Sequence, residues 1–497
     1  MIDYSYFLSV LTPEVLLWMV VGSISGVIIG ALPGLGPELG IALFLPITFN
    51  LSPTAGLACL SSVFTSCQFG GNISAILINT PGTSDSIFLV LDGYPLTKRG
   101  LGKRALIISA ASATVGGLIG SIILLYGATF LARATTVMGP FEIFLITLIG
   151  LSIIVTLVQG SPLKGLTAAL LGLAMGFIGL DGATMQSRFT FGVVELFDGV
   201  PILPPILGLF AVGQMFLITA SRQEKITAGD IDTASQKNKV KLRELVKLAG
   251  PMIRGAVIGV IIGIIPGNGG TTASSLSYSL ERRLSKHPEE FGDGSEAGVA
   301  SISAAINGVM GGSLVPLITL GIPGCSAAAL FLSGLMVHGL YPGQSLFINS
   351  ANIVYPFLFA TILAQLFIPV FGIGCGSWLS KLTKVDNSIL IPIIMVFSYI
   401  GGYAARGQMF DVYLMLLFGV IGFCWEKMGY GIACFLLAFV LGPTAETKFR
   451  LSLMLMGGNA ASTIFKPLPI ILILINLALI LFPIISGIAK RVRAKKS

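Results

Sequence analysis

The sequence predicts an all-α polytopic membrane protein with about 11–13 transmembrane helices. Of its 497 residues, 54% are hydrophobic and only 10% are charged, and 62 are glycine. Soluble proteins carry about 25% charged residues, so a chain this long with so few charges cannot cover a water-facing surface. Glycine is more frequent in membrane helices than in soluble ones. This composition excludes a soluble enzyme, a disordered chain and a disulfide scaffold, and the absence of short alternating segments argues against an outer-membrane barrel.

Apolar segments that could span or enter the bilayer recur along the chain. In the first half they lie near 14–32, 38–48, 54–78, 105–131, 140–158, 162–180 and 202–220. In the second half they lie near 248–266, 298–320, 326–338, 351–379, 388–404, 411–424, 430–442 and 468–488. Some are too short to cross, so we expect them to re-enter the membrane or to pair.

The one sizeable polar stretch, 221–247, is rich in Lys and Arg and divides the chain near its middle. Basic clusters beside spans mark the cytoplasmic side. We therefore predict a first transmembrane repeat (1–220), a cytoplasmic basic linker (221–247), a second transmembrane repeat (248–460) and an extra C-terminal helix with a cytoplasmic basic tail (461–497). Nucleic-acid binding is not predicted, because no basic stretch is long enough to form a folded domain.

The two halves resemble each other. Gly26–Gly36 reads Gly-Val-Ile-Ile-Gly-Ala-Leu-Pro-Gly-Leu-Gly, and Gly259–Gly270 reads Gly-Val-Ile-Ile-Gly-Ile-Ile-Pro-Gly-Asn-Gly-Gly. Further on, Gly70-Gly71 leads to Asn-Thr-Pro-Gly ending at Gly82, and Gly311-Gly312 leads to Gly-Ile-Pro-Gly ending at Gly324. The same order in both halves predicts an internal duplication.

Charge predicts that the two copies are inverted. In copy one the loop at 50–52 is neutral and the loop at 98–104 is basic; in copy two 282–286 is basic and 338–342 lacks Lys and Arg. The basic loop thus changes sides, which by the positive-inside rule indicates inverted topology, typical of secondary transporters. We expect a multi-pass protein of the bacterial inner membrane, with its N-terminus outside and its C-terminus in the cytoplasm.

Paired Pro-Gly motifs in corresponding segments predict discontinuous or re-entrant helices with Pro-Gly tips. The N-termini of such half-helices bind anions. The predicted substrate-binding residues form two facing tips: Asn79, Thr80, Pro81, Gly82, Thr83 and Ser84, and Gly321, Ile322, Pro323, Gly324, Cys325 and Ser326. Further contributors are Gly34, Gly36, Gly267, Asn268, Gly269, Gly270 and Thr271. The alternatives are ordinary proline kinks and close helix packing through small residues.

Isolated acids in apolar surroundings are candidates for a coupling cation, because ionisable groups in membranes are usually functional. Glu38 and Asp85 are the first choices, while Asp181 and Asp198 lie in Gly-rich connections where solvent can reach them. The six cysteines are scattered and there are only two histidines. We therefore predict no metal, no cofactor and no enzymatic activity, with Na⁺ or H⁺ as the coupling ion.

The chain resembles the large membrane subunit (TctA) of the tripartite tricarboxylate transporters. The matching pieces run through nearly the whole chain: Gly30-x-x-Pro-Gly-Leu-Gly-Pro37, Gly70-Gly-x-x-Ser-Ala-Ile-Leu77 to Pro81-Gly-Thr83, Asp92-Gly-Tyr-Pro-Leu96, Arg188-Phe-Thr-Phe-Gly192, His287-Pro-Glu-Glu-Phe-Gly292, Leu320-Gly-Ile-Pro-Gly324 and Leu441-Gly-Pro443. The resemblance implies secondary uptake of carboxylates. It also implies a small membrane subunit and a periplasmic solute-binding protein as partners; a homo-oligomer stays open.

One departure from the family pattern concerns the helix before the second tip. The family has a Glu and two consecutive Asn there. This chain has Ser303 in place of the Glu and Ile306 in place of the first Asn, and it keeps Asn307. Ser303 and Asn307 are therefore candidate cation residues, and the sequence leaves open whether the departures at Ser303 and Ile306 alter coupling.

The leading functional prediction is the large subunit of a tripartite symporter for di- or tricarboxylates, working by elevator-type alternating access. The chain has no Gly-x-x-x-x-Gly-Lys-Ser/Thr motif, which disfavours ATP as the energy source. The alternatives are a stand-alone cation-coupled organic-anion transporter, a passive anion channel and a membrane enzyme.

Overall fold

The protein is described from a computed structural model. The described residues are 5–32, 34–134, 138–156, 162–182, 184–220, 240–266, 269–374, 387–404, 406–457 and 464–479. Several predictions concern residues outside these ranges: Pro33, Gly267 and Asn268 of the breaks, most of the linker (221–239) and the basic tail (480–497).

Helices dominate the first half. They are α1 (Tyr6–Val10), α2 (Pro13–Ala31), α3 (Pro37–Thr48), α4 (Pro53–Ile78), a 3-10 helix (Ser84–Leu89), α5 (Val90–Lys98), α6 (Gly102–Ala134), α7 (Pro140–Thr156), α8 (Pro162–Gly176), a 3-10 turn (Val194–Leu196), α9 (Leu203–Ile206), a π-helical segment (Leu207–Val212) and α10 (Gly213–Ala220). Two short strands, β1 (Gly179–Leu180) and β2 (Ser187–Arg188), pair antiparallel, with Gly179 opposite Arg188.

The second half is also helical. Its helices are α11 (Leu242–Lys247), α12 (Ala249–Ile264), α13 (Gly270–Leu284), a 3-10 turn (Pro288–Glu290), α14 (Glu296–Leu320), α15 (Ser326–Val337), α16 (Gln344–Asn349), α17 (Ala351–Gly374), α18 (Asn387–Ala404), α19 (Met409–Met428), α20 (Ile432–Met456) and α21 (Pro467–Leu479).

Within the described residues, six helical stretches are long and apolar enough to cross a membrane, and shorter apolar helices accompany them. This confirms the prediction of an all-α polytopic membrane protein. One predicted boundary is wrong, because the span expected to end at residue 442 continues through Pro443 to Met456. Beyond the proline, Glu446 and Arg450 lie one turn apart and form an ion pair of 2.8 Å, which supports the helix there.

Two helices form the centre of the molecule. Every residue of α4 from Ala55 to Ile78 is buried, and so is every residue of α14 from Gly298 to Thr319. Both helices are rich in Gly, Ala and Ser, which let other backbones approach closely. The central position of α4 and α14 therefore follows from their small side chains.

Helix α2 packs parallel to α4 through a ladder of glycines. A methyl group on any of these glycines would collide with a carbonyl oxygen of α4: Gly22 with that of Cys59, Gly26 with that of Val63 and Gly30 with that of Cys67. Helix α12 packs on α14 in the same way: Gly255 meets Ser301, Gly259 meets Ala305 and Gly263 meets Val309. The repeated sequence motif thus has a repeated packing role in the two halves.

The two packed pairs run in opposite directions. The end of α4 lies beside α5, where the Thr97 hydroxyl donates to the carbonyl of Ile76 at 2.7 Å. The start of α14 lies at the same end of the molecule, since Glu296 pairs with Arg104 near the start of α6 at 2.5 Å. Helix α4 therefore runs toward the basic loop at 98–104, and α14 runs away from it.

Candidate functional site

The first break in the helices lies between α2 and α3. Helix α2 ends at Ala31, and α3 begins at Pro37, whose missing N–H suits a first helical position. Between them Gly34 has a φ of +82°, which favours glycine. The Gly34 N–H donates to the carbonyl of Gly82 at 3.1 Å, so this break touches the first Pro-Gly tip directly.

The first Pro-Gly tip folds back along its own helix. Helix α4 ends at Asn79, which is in the left-handed conformation. The chain then returns, and the Gly82 N–H donates to the carbonyl of Gly71 at 3.3 Å. A Cβ at position 82 would lie against Gly30 and Gly71, so the turn depends on glycine. Thr83 caps the following 3-10 helix through reciprocal contacts with Ser86.

The second tip repeats this arrangement. Helix α14 ends at Gly321, also left-handed with a φ of +73°. The Gly324 N–H donates to the carbonyl of Ser313 at 3.4 Å, and Gly324 packs against Gly263 of α12. Helix α15 then begins at Ser326. Each half thus holds its own Pro-Gly tip against its own broken helix pair.

Contacts between the halves cross over at these tips. Asp85, directly after the first tip, accepts a hydrogen bond from the Thr271 hydroxyl of α13 at 3.1 Å. It also accepts from Gln68 at 3.0 Å and from Ser84 at 3.3 Å. The Glu38 side chain, in the first turn of α3, lies beside the Ser326 hydroxyl in the first turn of α15. Each of these two carboxylates of the first half therefore lies beside a hydroxyl of the second half.

We call this region the tip junction and define it by Gly34–Glu38, Ser84–Asp85, Gly269–Thr271 and Cys325–Ser326. Three helices, α3, α13 and α15, begin in it. The first-turn N–H groups of a helix have no partner inside that helix, and a helix N-terminus attracts anions. Gly34 and Ser84 are exposed, while Glu38, Thr271 and Ser326 are half-buried. The junction is thus a partly exposed region that contains helix N-termini and hydroxyl groups.

The junction holds two carboxylates close enough to repel each other, those of Glu38 and Asp85. Asp85 is only 9% exposed. In the described part of the chain no Lys, Arg or His forms an ion pair with either carboxylate, and their hydrogen-bond donors are neutral. Buried carboxylates without basic partners are costly unless a proton or a metal cation joins them.

A polar stripe on α4, which the sequence analysis did not single out, lies behind the junction. Thr65, Gln68 and Asn72 are spaced at i, i+3 and i+7 and therefore share one helix face. Gln68 contacts Asp85, while the Thr65 hydroxyl donates to the Gln365 side chain at 2.6 Å. Polar residues at helical spacing in an apolar segment would have revealed this stripe.

The two other candidate coupling residues lie in the same buried network. The Asn307 amide donates to the backbone carbonyl and the hydroxyl of Thr65 at 3.3 and 3.2 Å. The Ser303 hydroxyl lies 2.9 Å from that of Ser109, which accepts from Asn72. Within the described residues, the Asn307 side-chain oxygen is buried without a hydrogen-bond partner. From α14, Ser303 therefore contacts α6 and Asn307 contacts α4, in the buried network that includes the polar stripe.

The remaining predicted tip residues have local roles. Asn79 is exposed at the end of α4, and the Thr80 hydroxyl bonds to the carbonyl of Ile78 at 3.3 Å. Ile322 and Pro323 are buried among apolar side chains, where Ile322 contacts Gly150 of α7. These residues shape the turns, whereas the polar groups that converge are Glu38, Ser84, Asp85, Thr271 and Ser326.

Comparison with known proteins identifies the family. A family model described as the Tripartite tricarboxylate transporter TctA family matches residues 16–437. An uncharacterized 52.8 kDa protein in the TAR-I ttuC' 3'region of Agrobacterium vitis is 35% identical over 487 residues, covering 98% of this chain and 96% of the relative. An uncharacterized protein in the TAR-II ttuC' 3'region of the same organism is 33% identical over 239 residues, covering 48% of this chain and 97% of that relative. The chain therefore belongs to the TctA family of tripartite tricarboxylate transporters.

Proposed function

We propose that the chain is the large transmembrane subunit of a tripartite secondary transporter that imports di- or tricarboxylates with Na⁺ or H⁺. The observation that carries the proposal is the tip junction, where helix N-termini and two unpaired carboxylates meet. In this proposal the N-termini of α3, α13 and α15 hold the carboxylate groups of the substrate. A small membrane subunit and a periplasmic solute-binding protein complete the transporter.

Charge arithmetic supports cation coupling. Three helix N-termini contribute about +1.5 charges, at about +0.5 each. Glu38 and Asp85 contribute two negative charges when ionised, which makes the junction slightly negative before the substrate binds. A trianion would make it about −3.5, and cations or protons that bind with the substrate would offset this excess negative charge.

The membrane potential favours the same coupling. Moving one negative charge into a cell with about 100 mV inside-negative potential costs about 2.3 kcal/mol. A trianion alone therefore faces about 7 kcal/mol. Three monovalent cations that enter with the trianion cancel this cost, and a fourth makes the potential favourable.

Asp85 is the proposed coupling residue. Its two carboxylate oxygens accept hydrogen bonds from the side chains of Gln68, Ser84 and Thr271. Hydroxyl and amide oxygens of such side chains can also bind hard cations. Protonation or Na⁺ binding at Asp85 removes the repulsion of an arriving anion. Glu38 has the same role on the other side of the junction, next to Ser326.

The arrangement of the halves supports alternating access. The helix pairs α2–α4 and α12–α14 have matching contacts and opposite directions, as expected of inverted repeats. In the proposed elevator motion the tip junction moves against the surrounding helices while its cross-contacts persist. The proposed orientation in the inner membrane has the N-terminus outside and the basic loops in the cytoplasm.

Purified chain reconstituted in proteoliposomes, together with its proposed partners, tests this function. We expect citrate or another di- or tricarboxylate to accumulate only when a Na⁺ or H⁺ gradient is present. Asp85→Asn should abolish coupled accumulation, whereas the control Asp293→Asn, at a side chain that is 76% exposed, should leave it unchanged. Accumulation that persists after both gradients are collapsed would refute coupling, and equal activity of the two variants would refute the role of Asp85.

A further inference from the structure

The loop between α8 and α9, residues 177–202, extends from the membrane-spanning helices. Leu203–Ala220 is long enough and apolar enough to cross a membrane. The two ends of this helix, Leu203 and Ala220, therefore lie on opposite sides of the membrane. Since the sequence after Ala220 is basic and basic segments mark the cytoplasmic side, the loop before Leu203 faces the exterior.

The base of this loop is fixed by ion pairs. Asp181, which the sequence analysis expected to be solvated, is 6% exposed and pairs with Arg188 and Arg450. Glu446 accepts from both arginines at 2.8 Å. The short hairpin of β1 and β2 is thereby held to α20 by two acids and two arginines.

A second contact fixes the far end of the loop. Arg406, paired with the fully buried Asp411 at 2.5 Å, donates to the backbone carbonyl of Glu195 at 3.4 Å. Within the loop, the Leu180 N–H donates to the carbonyl of Phe197 at 2.9 Å. The loop is therefore ordered by contacts to the helices near both of its ends.

The tip of this fixed loop displays large apolar side chains. Met185, Phe189, Phe191 and Val194 are 70%, 61%, 88% and 69% exposed, although Thr190 between the two phenylalanines is buried. Met185, Phe189 and Phe191 also have positive φ values of 51–55°, which bulky side chains rarely adopt. Folding alone would favour negative φ values and buried side chains at these positions. The exposed apolar side chains on a strained backbone therefore indicate a function in binding.

The composition of the loop indicates what it binds. Its charged residues are Asp181, Arg188, Glu195 and Asp198, so it is net acidic, which disfavours contact with an anionic lipid surface. Aromatic anchors at lipid interfaces are mainly Trp and Tyr, whereas Phe and Met are enriched in the cores of protein–protein interfaces. The apolar tip and acidic surroundings fit a protein surface with an apolar pocket and a basic rim.

We propose that the 177–202 loop is the docking surface for a soluble exterior protein, with Phe189 and Phe191 as the anchors that enter its apolar pocket. This inference rests on the proposed function, because the partner it fits is the solute-binding protein of the tripartite transporter. Docking at this loop would place the partner next to the ion-pair cluster of α20 and on the exterior side of the transport path.

A binding measurement tests the anchors. The full chain is placed in nanodiscs, and the affinity of the purified solute-binding protein of the same transporter is measured with and without its carboxylate. The double variant Phe189→Ser/Phe191→Ser should bind it at least tenfold more weakly. The control Phe465→Ser removes a phenylalanine that is 74% exposed at the start of α21 and should bind as the unmodified chain does. Equal affinity of the double variant and the control would overturn the inference.

A photo-crosslinker at position 191 of the full chain, in cells that contain the partner, gives an independent readout. A crosslink to the solute-binding protein supports the inference, whereas crosslinks only to lipid or to a second copy of the chain overturn it. Carboxylate binding to the membrane chain alone separates the two proposals. If the membrane chain does not bind carboxylate while the partner still docks through the loop, the proposed function is wrong. If the chain binds carboxylate while the Phe189/Phe191 variant keeps its affinity for the partner, the docking inference is wrong.

Discussion

The Pro-Gly tips are most directly tested at their second residues. Gly82 and Gly324 occupy corresponding positions, and each packs against a glycine of the preceding broken helix, Gly30 or Gly263. A Cβ at position 82 would lie 2.8 Å from the Cα of Gly71, and one at position 324 would lie 2.7 Å from the Cα of Ser313. Real Cβ atoms do not approach backbone so closely, so the tip must shift.

The size of the effect follows from this overlap. An extra methylene in a well-packed site typically costs about 1–3 kcal/mol, and backbone neighbours yield less readily than flexible side chains. We therefore expect Gly82→Ala and Gly324→Ala each to destabilise the protein by about 1–3 kcal/mol. Transport should fall by more than the loss of folded protein, because the displaced tip carries Ser84–Asp85 or Cys325–Ser326 out of position.

Thermal unfolding in detergent and initial uptake rates in proteoliposomes measure the two effects on the same preparations. Gly127→Ala in α6 is the control, since a Cβ there would come no closer than 3.8 Å to its neighbours and should lower neither quantity. If the two tip variants transport at the normal rate per folded molecule, the tips do not position the site. If only one of them does, the equivalence of the two tips is wrong.

Three further predictions follow from local contacts. A disulfide between Gly150→Cys and Ile322→Cys would join α7 to the second tip and should stop uptake, and reduction of the disulfide should restore it. Undiminished uptake by the crosslinked protein would refute movement of the tip against α7. Burial raises the pKa of Asp92 above its ordinary value, although three backbone N–H groups donate to its Oδ1. The protonated Asp92 side chain therefore stabilises the fold at low pH, and this stabilisation should be lost as pH rises through the raised pKa. The melting temperature of Asp92→Asn should therefore depend less on pH, while Asp293→Asn should behave as the unmodified chain does. Burial lowers the pKa of His338, whose Nε2 has no hydrogen-bond partner among the described residues. The neutral imidazole therefore stabilises the fold, and this stabilisation should be lost as pH falls through the lowered pKa. In the same melting assay, His338→Gln should be less sensitive to acid than the unmodified chain.

Most helices could be predicted from apolar length alone, because the bilayer core sets a minimum run of hydrophobic residues. Helix α20 shows one limit of that reasoning. Pro443 and the charges after it look like the end of a span, yet the pairing of Glu446 with Arg450 and Arg188 keeps the helix intact to Met456. Such pairing depends on a loop far away in sequence, which local composition cannot reveal.

The helix ends around the candidate site could be predicted. The Pro-Gly motifs fall where α2, α4, α12 and α14 end, since proline and left-handed glycine leave a local signal. They did not reveal that Asp85 binds Thr271 or that Glu38 lies beside Ser326, because these pairs join residues from different halves. The polar stripe of α4 gives a weaker signal, because its Thr, Gln and Asn lie among many small residues and show their common face only at helical spacing.

The crossed contacts give the proposed coupling a structural route. Asp85 belongs to the first half but accepts a hydrogen bond from a hydroxyl of α13, and Glu38 lies beside a hydroxyl of α15. A proton or Na⁺ at either carboxylate therefore changes charge and a contact between the halves at once. Loading of the cation, attraction of the anion and the fit between the halves then depend on the same few atoms. This dependence is what a symporter needs, because movement with only one of the two ligands would dissipate the gradient.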